Sequence, residues 1–336
     1  MYRKVFGSIF PAFLSLLLLF ITACGSVMQV TPTSTKSSSF TPTATRGDHP
    51  GRVLSPGGGG GTGRIALACA SPHTPNNTDI CTSNLDGSGL RQLTTAPGTE
   101  ISPAWSPDGK RIVFRNAPNS NIIEASDIWI MNADGSAKTN LTRDLNSNWG
   151  ATWSPDGRHI LFNSARDGNT PHLYIMNSDG SHLQLLFPKL NLWQEYASWS
   201  PDGTKIAFMS NVGASSFVIY VINTDGTGLI QVTRGPGEDG GPRWSPDGKH
   251  IAFTSNRSKQ AEVYTINAKG AELARLTNSP HDTSSGGPDW SPDGTRLLFL
   301  HSLPNGGEIW IMNADGSAQT KLMDAYGFGD APVWQP

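Results

Sequence analysis

The chain has 336 residues with 37 Gly, 24 Pro and 10 Trp, and only 15% of it is charged. This composition suits a turn-rich, aromatic-rich β protein better than a helical one, and no window sustains a helical period. The formal charge of 25 − 27 = −2 leaves nothing basic with which to neutralise phosphates, so nucleic-acid binding is excluded as a function class.

In chain order the first feature is a leader. Arg3 and Lys4 precede VFGSIFPAFLSLLLLFI, a run that is apolar apart from two Ser and a Pro, which is the pattern of an export signal. It ends in Ile21-Thr22-Ala23-Cys24, which resembles the lipobox of bacterial lipoproteins. That resemblance implies cleavage before Cys24 and lipidation of its thiol. A plain amino-terminal anchor is the other reading, although Val5 to Ile21 is barely long enough for a span of about 20 residues. Both readings make the bulk of the protein exported and tethered to a membrane surface of the cell envelope, periplasmic in character. Loss of Arg3 and Lys4 with the leader changes the balance to 23 − 27 = −4.

Residues 25–63 are dominated by Ser, Thr, Pro and Gly, as in TPTSTKSSSFTPTATRG and SPGGGGGTG. With almost nothing to bury, this segment is expected to be a disordered stalk with an r.m.s. reach of roughly 35 Å.

From Arg64 onward the chain repeats itself. WSPDG starts at Trp105, Trp153, Trp199, Trp244 and Trp290, at intervals of 48, 46, 45 and 46 residues, a period that marks a repeat architecture. The second repeat divides into four strand-sized pieces, PAWS, RIVF, DIWIMN and TNLT, with SPDG and NADG turns between them. In these turns Pro suits position i+1 and Gly supplies positive φ. After its first residue the second piece is apolar throughout, as in IVF, ILF, IAF and LLF, and a strand without polar alternation is buried on both faces.

Four-stranded meanders covered on both sides by copies of themselves predict an all-β fold, a β-propeller. Trp105, Trp153, Trp199, Trp244 and Trp290 are expected to act as wedges between neighbouring blades. The third-strand motif occurs six times, from ICTSNLDG to the last IWIMNADG, whereas full WSPDG occurs five times. Trp334 in APVWQP, 44 residues after Trp290, supplies the missing inner strand. The expectation is a six-bladed ring over 64–336, four antiparallel strands per blade, closed by the C-terminal strand completing the first blade.

These motifs resemble the WD-type (WD40-like) propeller repeat of TolB and related exported proteins, with its P-x-W-S-P-D-G turn followed by I-A-F and I-Y-x-M-N-x-D-G. The resemblance covers Arg64 to Pro336 and implies the propeller fold. The α/β domain that precedes the TolB propeller has no counterpart in 1–63, so the resemblance carries the repeat and not the role in the Tol system.

Cys69 and Cys81 form an even pair in a chain read as exported, either bridged or as two buried thiols. The turn residues Asp108, Asp156, Asp202, Asp247 and Asp293 read as turn chemistry. His159 and His250 share a turn-proximal slot with Arg111, Lys205 and Arg296 and read as solvated.

With both tight turns at one end, function is expected at the other, where the blade-to-blade loops vary. These loops contribute Glu100, Trp149, Trp193, Glu195, Tyr196, Glu238, Asp239, His281, Asp282, Tyr326, Phe328 and Asp330. Acidic groups and aromatics at one mouth suggest a face for a cationic peptide, a protein loop or a sugar. No nucleophile elbow, phosphate loop or metal-spaced His/Cys cluster is present, so no catalytic residue, metal or cofactor is assigned. The expectation is a monomeric, non-enzymatic module that binds an envelope protein or peptide. The alternative is a polysaccharide-binding or lyase-type propeller.

Overall fold

The computed structural model describes residues 63–70, 77–118, 125–144, 146–168, 170–190, 192–211, 216–325 and 331–336. The leader, Cys24, the stalk, Tyr326, Phe328 and Asp330 lie outside the described residues.

All regular structure among the described residues is β. We number the four-stranded units I to VI. Unit I joins Val333–Trp334, Arg64–Ala70, Thr78–Asn84 and Arg91–Gln92; unit II joins Thr99–Trp105, Arg111–Ala117, Asp127–Asn132 and Thr139–Asn140. Unit III runs Asn148–Trp153, His159–Ser164, His172–Asn177, Gln184–Leu185, and unit IV runs Glu195–Trp199, Lys205–Ser210, Val218–Asn223, Ile230–Gln231. Unit V comprises Asp239–Trp244, His250–Ser255, Glu262–Asn267 and Ala274–Arg275; unit VI comprises Ser284–Trp290, Arg296–Leu303, Gly306–Asn313 and Thr320–Ala325. Pairing within each unit is antiparallel, and one parallel bridge, Thr78↔Thr99, links units I and II.

The second strand of each of units II to VI carries a Phe that is almost wholly inaccessible, namely Phe114, Phe162, Phe208, Phe253 and Phe299. Burying such a side chain contributes roughly 1.5–3 kcal/mol. The apolar clusters form between units rather than within them. Trp105 packs with Ala66 and Ile80 of unit I; Trp153 with Val113 and Ile130 of unit II; Trp244 with Met209 and Val221 of unit IV; Trp290 with Ala252 and Val263 of unit V. Trp199, partly buried, lies against Leu161 and Leu173 of unit III, and Trp334 joins Ile65 and Leu67 to Leu298 and Ile311 of unit VI. The repeated Trp is thus the inter-sheet wedge its period suggested.

The turn aspartates act locally. Ser106 Oγ donates to Asp108 Oδ1 at 2.6 Å and Lys110 N donates to the same oxygen at 3.1 Å, with Gly109 at φ +65°. In unit VI the equivalent Ser291 hydroxyl and Thr295 amide hold Asp293 down to about 2.

Two details depart from the sequence reading, and a third settles a pairing it left open. The fourth strand is only two residues long in units I to V, because the outer edge meets solvent and has nothing further to pair with. The slot of Arg111 and Arg296 is not simply solvated: their guanidinium groups lie 4.6 and 5.8 Å from the Trp153 and Trp334 rings of the next unit, a cation–π arrangement. Cys69 and Cys81 are bridged, with Cα atoms 5.9 Å apart, although they are diagonal neighbours (Leu67↔Cys81, Cys69↔Asp79) and do not face one another. Diagonal residues of an antiparallel pair share a face, which suffices.

Candidate functional site

The register settles which ends coincide. Trp105↔Ile112 and Arg111↔Asn132 place the SPDG and NADG turns at one end of unit II, while Thr99↔Ala117 and Asn116↔Asp127 mark the other. The inner strands of all units begin at this second end, which is where the candidate residues gather.

Every inner strand of units II to VI carries a register shift at one position, between Ile101/Ala104, Trp149/Thr152, Glu195/Ser198, Gly240/Arg243 and Gly286/Asp289. Three residues before the Trp stands a left-handed residue: Ser102, Gly150, Tyr196, Gly241 or Gly287, with φ between +48° and +61°. A bulge of this kind bends the strand and re-aims its side chains. Glycine adopts the conformation without penalty, whereas a bulky aromatic is strained there. Tyr196 nevertheless occupies it, 40% exposed, with its ring near Gly150 of unit III.

Five residues before each Trp is a buried polar side chain: Glu100, Asn148, Gln194, Asp239 and Ser285. These pin one unit to the one before it. Asn148 N donates to Ser126 O at 2.9 Å, Gln194 N to Pro171 O at 3.0 Å, Asp239 N to Phe217 O at 2.9 Å and Ser285 N to Ala261 O at 2.8 Å. Their side chains bond within the same end, Asp239 most strongly, accepting from Arg257 Nη2 at 2.7 and 2.8 Å. Arg166 plays the corresponding part in unit III, reaching Asp144 and Asn148 at 2.9 and 3.0 Å. Ser285 Oγ lies 3.1 Å from His301 Nδ1, which looks like a nucleophile and base. It occupies the same pinning position as Glu100 with Asn116, and Ser285 is buried.

The acidic face of the sequence reading therefore divides. Glu100, Glu195 and Asp239 are inside the protein, at 2%, 9% and 2% exposure, because the bulge turns the start of the inner strand toward neighbouring units. Trp149, Trp193, Tyr196, Glu238, His281 and Asp282 reach the surface at the same end. Trp193 packs edge-on against Phe217, ring centroids 5.9 Å apart, and His281 pairs with Asp282 at 2.8 Å in solvent. Asn148, Gln194, Ser285, Arg166 and Arg257 escaped the sequence reading. Their signals were the fixed offset of five from Trp and the Ser-x-Arg spacing of Ser164-Ala165-Arg166 and Ser255-Asn256-Arg257. No group of three His, Cys, Asp or Glu side chains with metal-holding geometry occurs among the described residues.

Burial raises two carboxyls at the inner strands above their ordinary range. Glu195 is pushed up to about 7, opposed only by the Trp193 indole. Asp289, 19% exposed, is pushed up to about 6 despite Arg243 at 3.8 Å and the Trp334 amide at 2.8 Å. A raised carboxyl favours the fold below its ordinary range near pH 4, and that contribution is lost as pH rises through the folded value. Glu195→Gln should therefore match wild type near pH 4 and exceed it at pH 8 by on the order of 3 kcal/mol. Urea midpoints measured across that range check this; parallel curves would refute it.

Repeated antiparallel meanders, wedged against one another by a periodic Trp, are the build of a β-propeller protein. The TolB beta propeller domain family matches residues 63–218 and 193–286, and the chain belongs to that family. Among solved structures it is similar to TolB from Acinetobacter baumannii (TM-score 0.69, 24% identity, 83% of this chain and 68% of that one) and to the TolB assigned in Agrobacterium tumefaciens (TM-score 0.64, 21% identity, 79% and 90%). It is also similar in fold to oligogalacturonate lyase from Vibrio parahaemolyticus (TM-score 0.50, 12% identity, 77% and 72%). A curated relative, Dipeptidyl-peptidase 5 of Porphyromonas gingivalis, is 53% identical over 36 residues, 11% of this chain; the chain spans 5% of that protein's length.

Proposed function

We propose that this is an exported lipoprotein, tethered through Cys24, whose propeller is a closed six-bladed ring that binds an envelope protein or peptide at its loop-bearing mouth without catalysing a reaction. Ring closure is supported by the cyclic order of the apolar clusters, I with II through to VI with I, and by the pairing of Val333–Trp334 with Ile65 and Ala66.

The observation that carries the binding reading is Tyr196. A bulky, exposed side chain is kept in a backbone conformation that three of the four equivalent positions give to glycine or leave to it by design of the repeat: Gly150, Gly241 and Gly287, with Ser102 the fourth. Strain retained at an exposed residue marks a position selected for contact. Trp149, Trp193 and the Glu238 carboxyl border the same end, and aromatics with a few polar groups suit a peptide or protein loop.

The test is affinity capture from detergent-solubilised envelope with the full chain, comparing wild type with a Trp149→Ala, Tyr196→Gly, Asp282→Asn variant. Asp239 is left intact because its loss would strand buried Arg257. A partner held by wild type and lost from the folded variant supports the adaptor. Equal retention by both, or retention of polysaccharide alone, overturns it.

A further inference from the structure

At the loop-bearing end this chain uses one device twice. In unit III the Arg166 guanidinium lies over the Tyr174 ring at 4.8 Å and reaches Asp144 at 2.9 Å; in unit V the Arg257 guanidinium lies over Tyr264 at 5.3 Å and reaches Asp239 at 2.7 Å. Each guanidinium meets an aromatic face and a carboxylate together, a combination that suits its planar, weakly hydrated charge. A third buried carboxylate of this end, Glu262, is met by Arg275 at 2.8 Å.

Unit IV, between these two, has the carboxylate and the aromatics without the cation. Its Ser210-Asn211-Val212 stands where units III and V have Ser-x-Arg. Glu195, 9% exposed, pairs in register with Met209; Trp193 packs on Phe217 at 5.9 Å with its Nε1 buried and unbonded, and Tyr196 is 40% exposed. The charged and titratable side chains of the strands packed against Glu195–Trp199 are directed elsewhere: Asp239 to Arg257, Arg243 to Asp289 at 3.8 Å, Lys205 to Asn223 at 2.7 Å, His159 to Asp156 at 4.0 Å and Tyr174 to Asp167. Neither these nor His172 and Glu238 are among the groups that act on the Glu195 carboxyl, where burial is foremost and the Trp193 indole alone opposes it. Room is left on one side. The counterpart of Glu195 in unit V is Gly240, and a Cβ added at the next residue, Gly241, would meet nothing within 4 Å.

We propose that Glu195 is the counter-ion for an arginine side chain presented by the bound partner, entering over the glycines of unit V beside Trp193 and Tyr196. The proposal rests on the reading of this end as the partner-binding mouth and names the chemistry that the partner brings to it. A buried carboxylate without a cation is costly to the free protein, and a guanidinium supplied from outside offsets that cost. Arginine is favoured over lysine because its guanidinium stacks on aromatic faces and is less hydrated than an ammonium, and because this chain fills its own two aromatic–carboxylate settings with Arg166 and Arg257. Where the Glu195 carboxyl is protonated, pairing releases that proton to solvent.

The experiment is calorimetric titration of the full-length protein with the capped tripeptide acetyl-Gly-Arg-Gly-amide and with its lysine and citrulline analogues, at pH 5 and pH 8, for wild type and Glu195→Gln. Citrulline keeps the shape of arginine and removes the charge. Wild type at pH 8 should prefer the arginine peptide to the citrulline peptide by about tenfold or more. That preference should shrink by up to about tenfold for each pH unit below about 7, because a protonated Glu195 must first lose its proton. Glu195→Gln, whose melting curve confirms that it is folded, should bind both peptides weakly and alike at either pH. No saturable binding of the arginine peptide, equal binding of arginine and citrulline by wild type, a preference retained by Glu195→Gln, or tighter binding of lysine than arginine would each overturn the pairing. Envelope capture separates this result from the wider reading. A partner held by wild type and by Glu195→Gln, yet lost from the Trp149→Ala, Tyr196→Gly, Asp282→Asn variant, overturns the arginine pairing and keeps the adaptor. Arginine-peptide binding with no partner captured keeps the guanidinium site and removes the adaptor.

Discussion

A chain ending at Ala331 is expected to lose cooperative folding, although only five residues are missing. Val333–Trp334 is the inner strand of unit I and pairs with Ile65 and Ala66, near the beginning of the folded region. Trp334 is 7% exposed among Ile65, Leu67, Leu298, Ile309 and Ile311, and its amide donates to Asp289. Gln335 N donates to Arg64 O at 2.9 Å, and its side chain reaches Gly109 O at 2.9 Å in unit II. Truncating a buried Trp to Ala costs about 3–5 kcal/mol alone, against a total stability of about 5–15 kcal/mol. Deleting the strand also leaves Arg64–Ala70 as an unpaired edge, open to association with other chains. Thermal and urea unfolding, with light scattering, would show the difference. A truncated chain that melts cooperatively within a few degrees of wild type would contradict the interlock of the two termini.

The second large effect is expected at Tyr196, where stability and binding should separate. Replacement by Gly relieves a left-handed conformation that costs an L-residue about 1–2 kcal/mol. It also forfeits the packing of a half-exposed ring and adds chain entropy of about 0.5–1 kcal/mol. The melting temperature should therefore change by no more than a few degrees. Affinity for the captured partner should fall by about 2 kcal/mol or more, roughly thirtyfold, as for an aromatic anchor at the centre of an interface. Isothermal titration of wild type and Tyr196→Gly, paired with melting curves, separates these quantities. Undiminished affinity would remove Tyr196 from the interface and leave its strain without a role.

How far these features were legible in the sequence depends on whether they repeat. The Trp wedge, the buried Phe of five second strands and the Ser–Asp turn bond recur at fixed spacing, and each follows from local chemistry that the letters state directly. The pairing of Trp334 with Ile65 was legible because one motif was counted six times and its companion five. The side chains of the candidate face were harder, because the bulge before each Trp breaks the alternation of side chains along the strand. Glu195 and Glu100 read as loop carboxylates, yet the bulge turns both inward. Gln194 passed unnoticed because its neighbours Trp193 and Glu195 look more chemical, while its role as an inter-unit pin depends on a carbonyl, Pro171 O, in another repeat. Likewise the partnership of Asp239 with Arg257 spans 18 residues of sequence, and only the register brings them together.

The central claim is that the loop-bearing end of the propeller, not the turn end, meets the partner. Site-specific photo-crosslinking in the full-length protein tests it directly, with the reactive side chain placed at Trp149 or Asp282 on the loop-bearing end and at Leu229 or Leu273 near the NxDG-type turns at the opposite end. The account predicts crosslinks to one envelope protein or peptide from Trp149 and Asp282 and none from Leu229 and Leu273. Crosslinks confined to the two leucines, or equal from both ends, would contradict it.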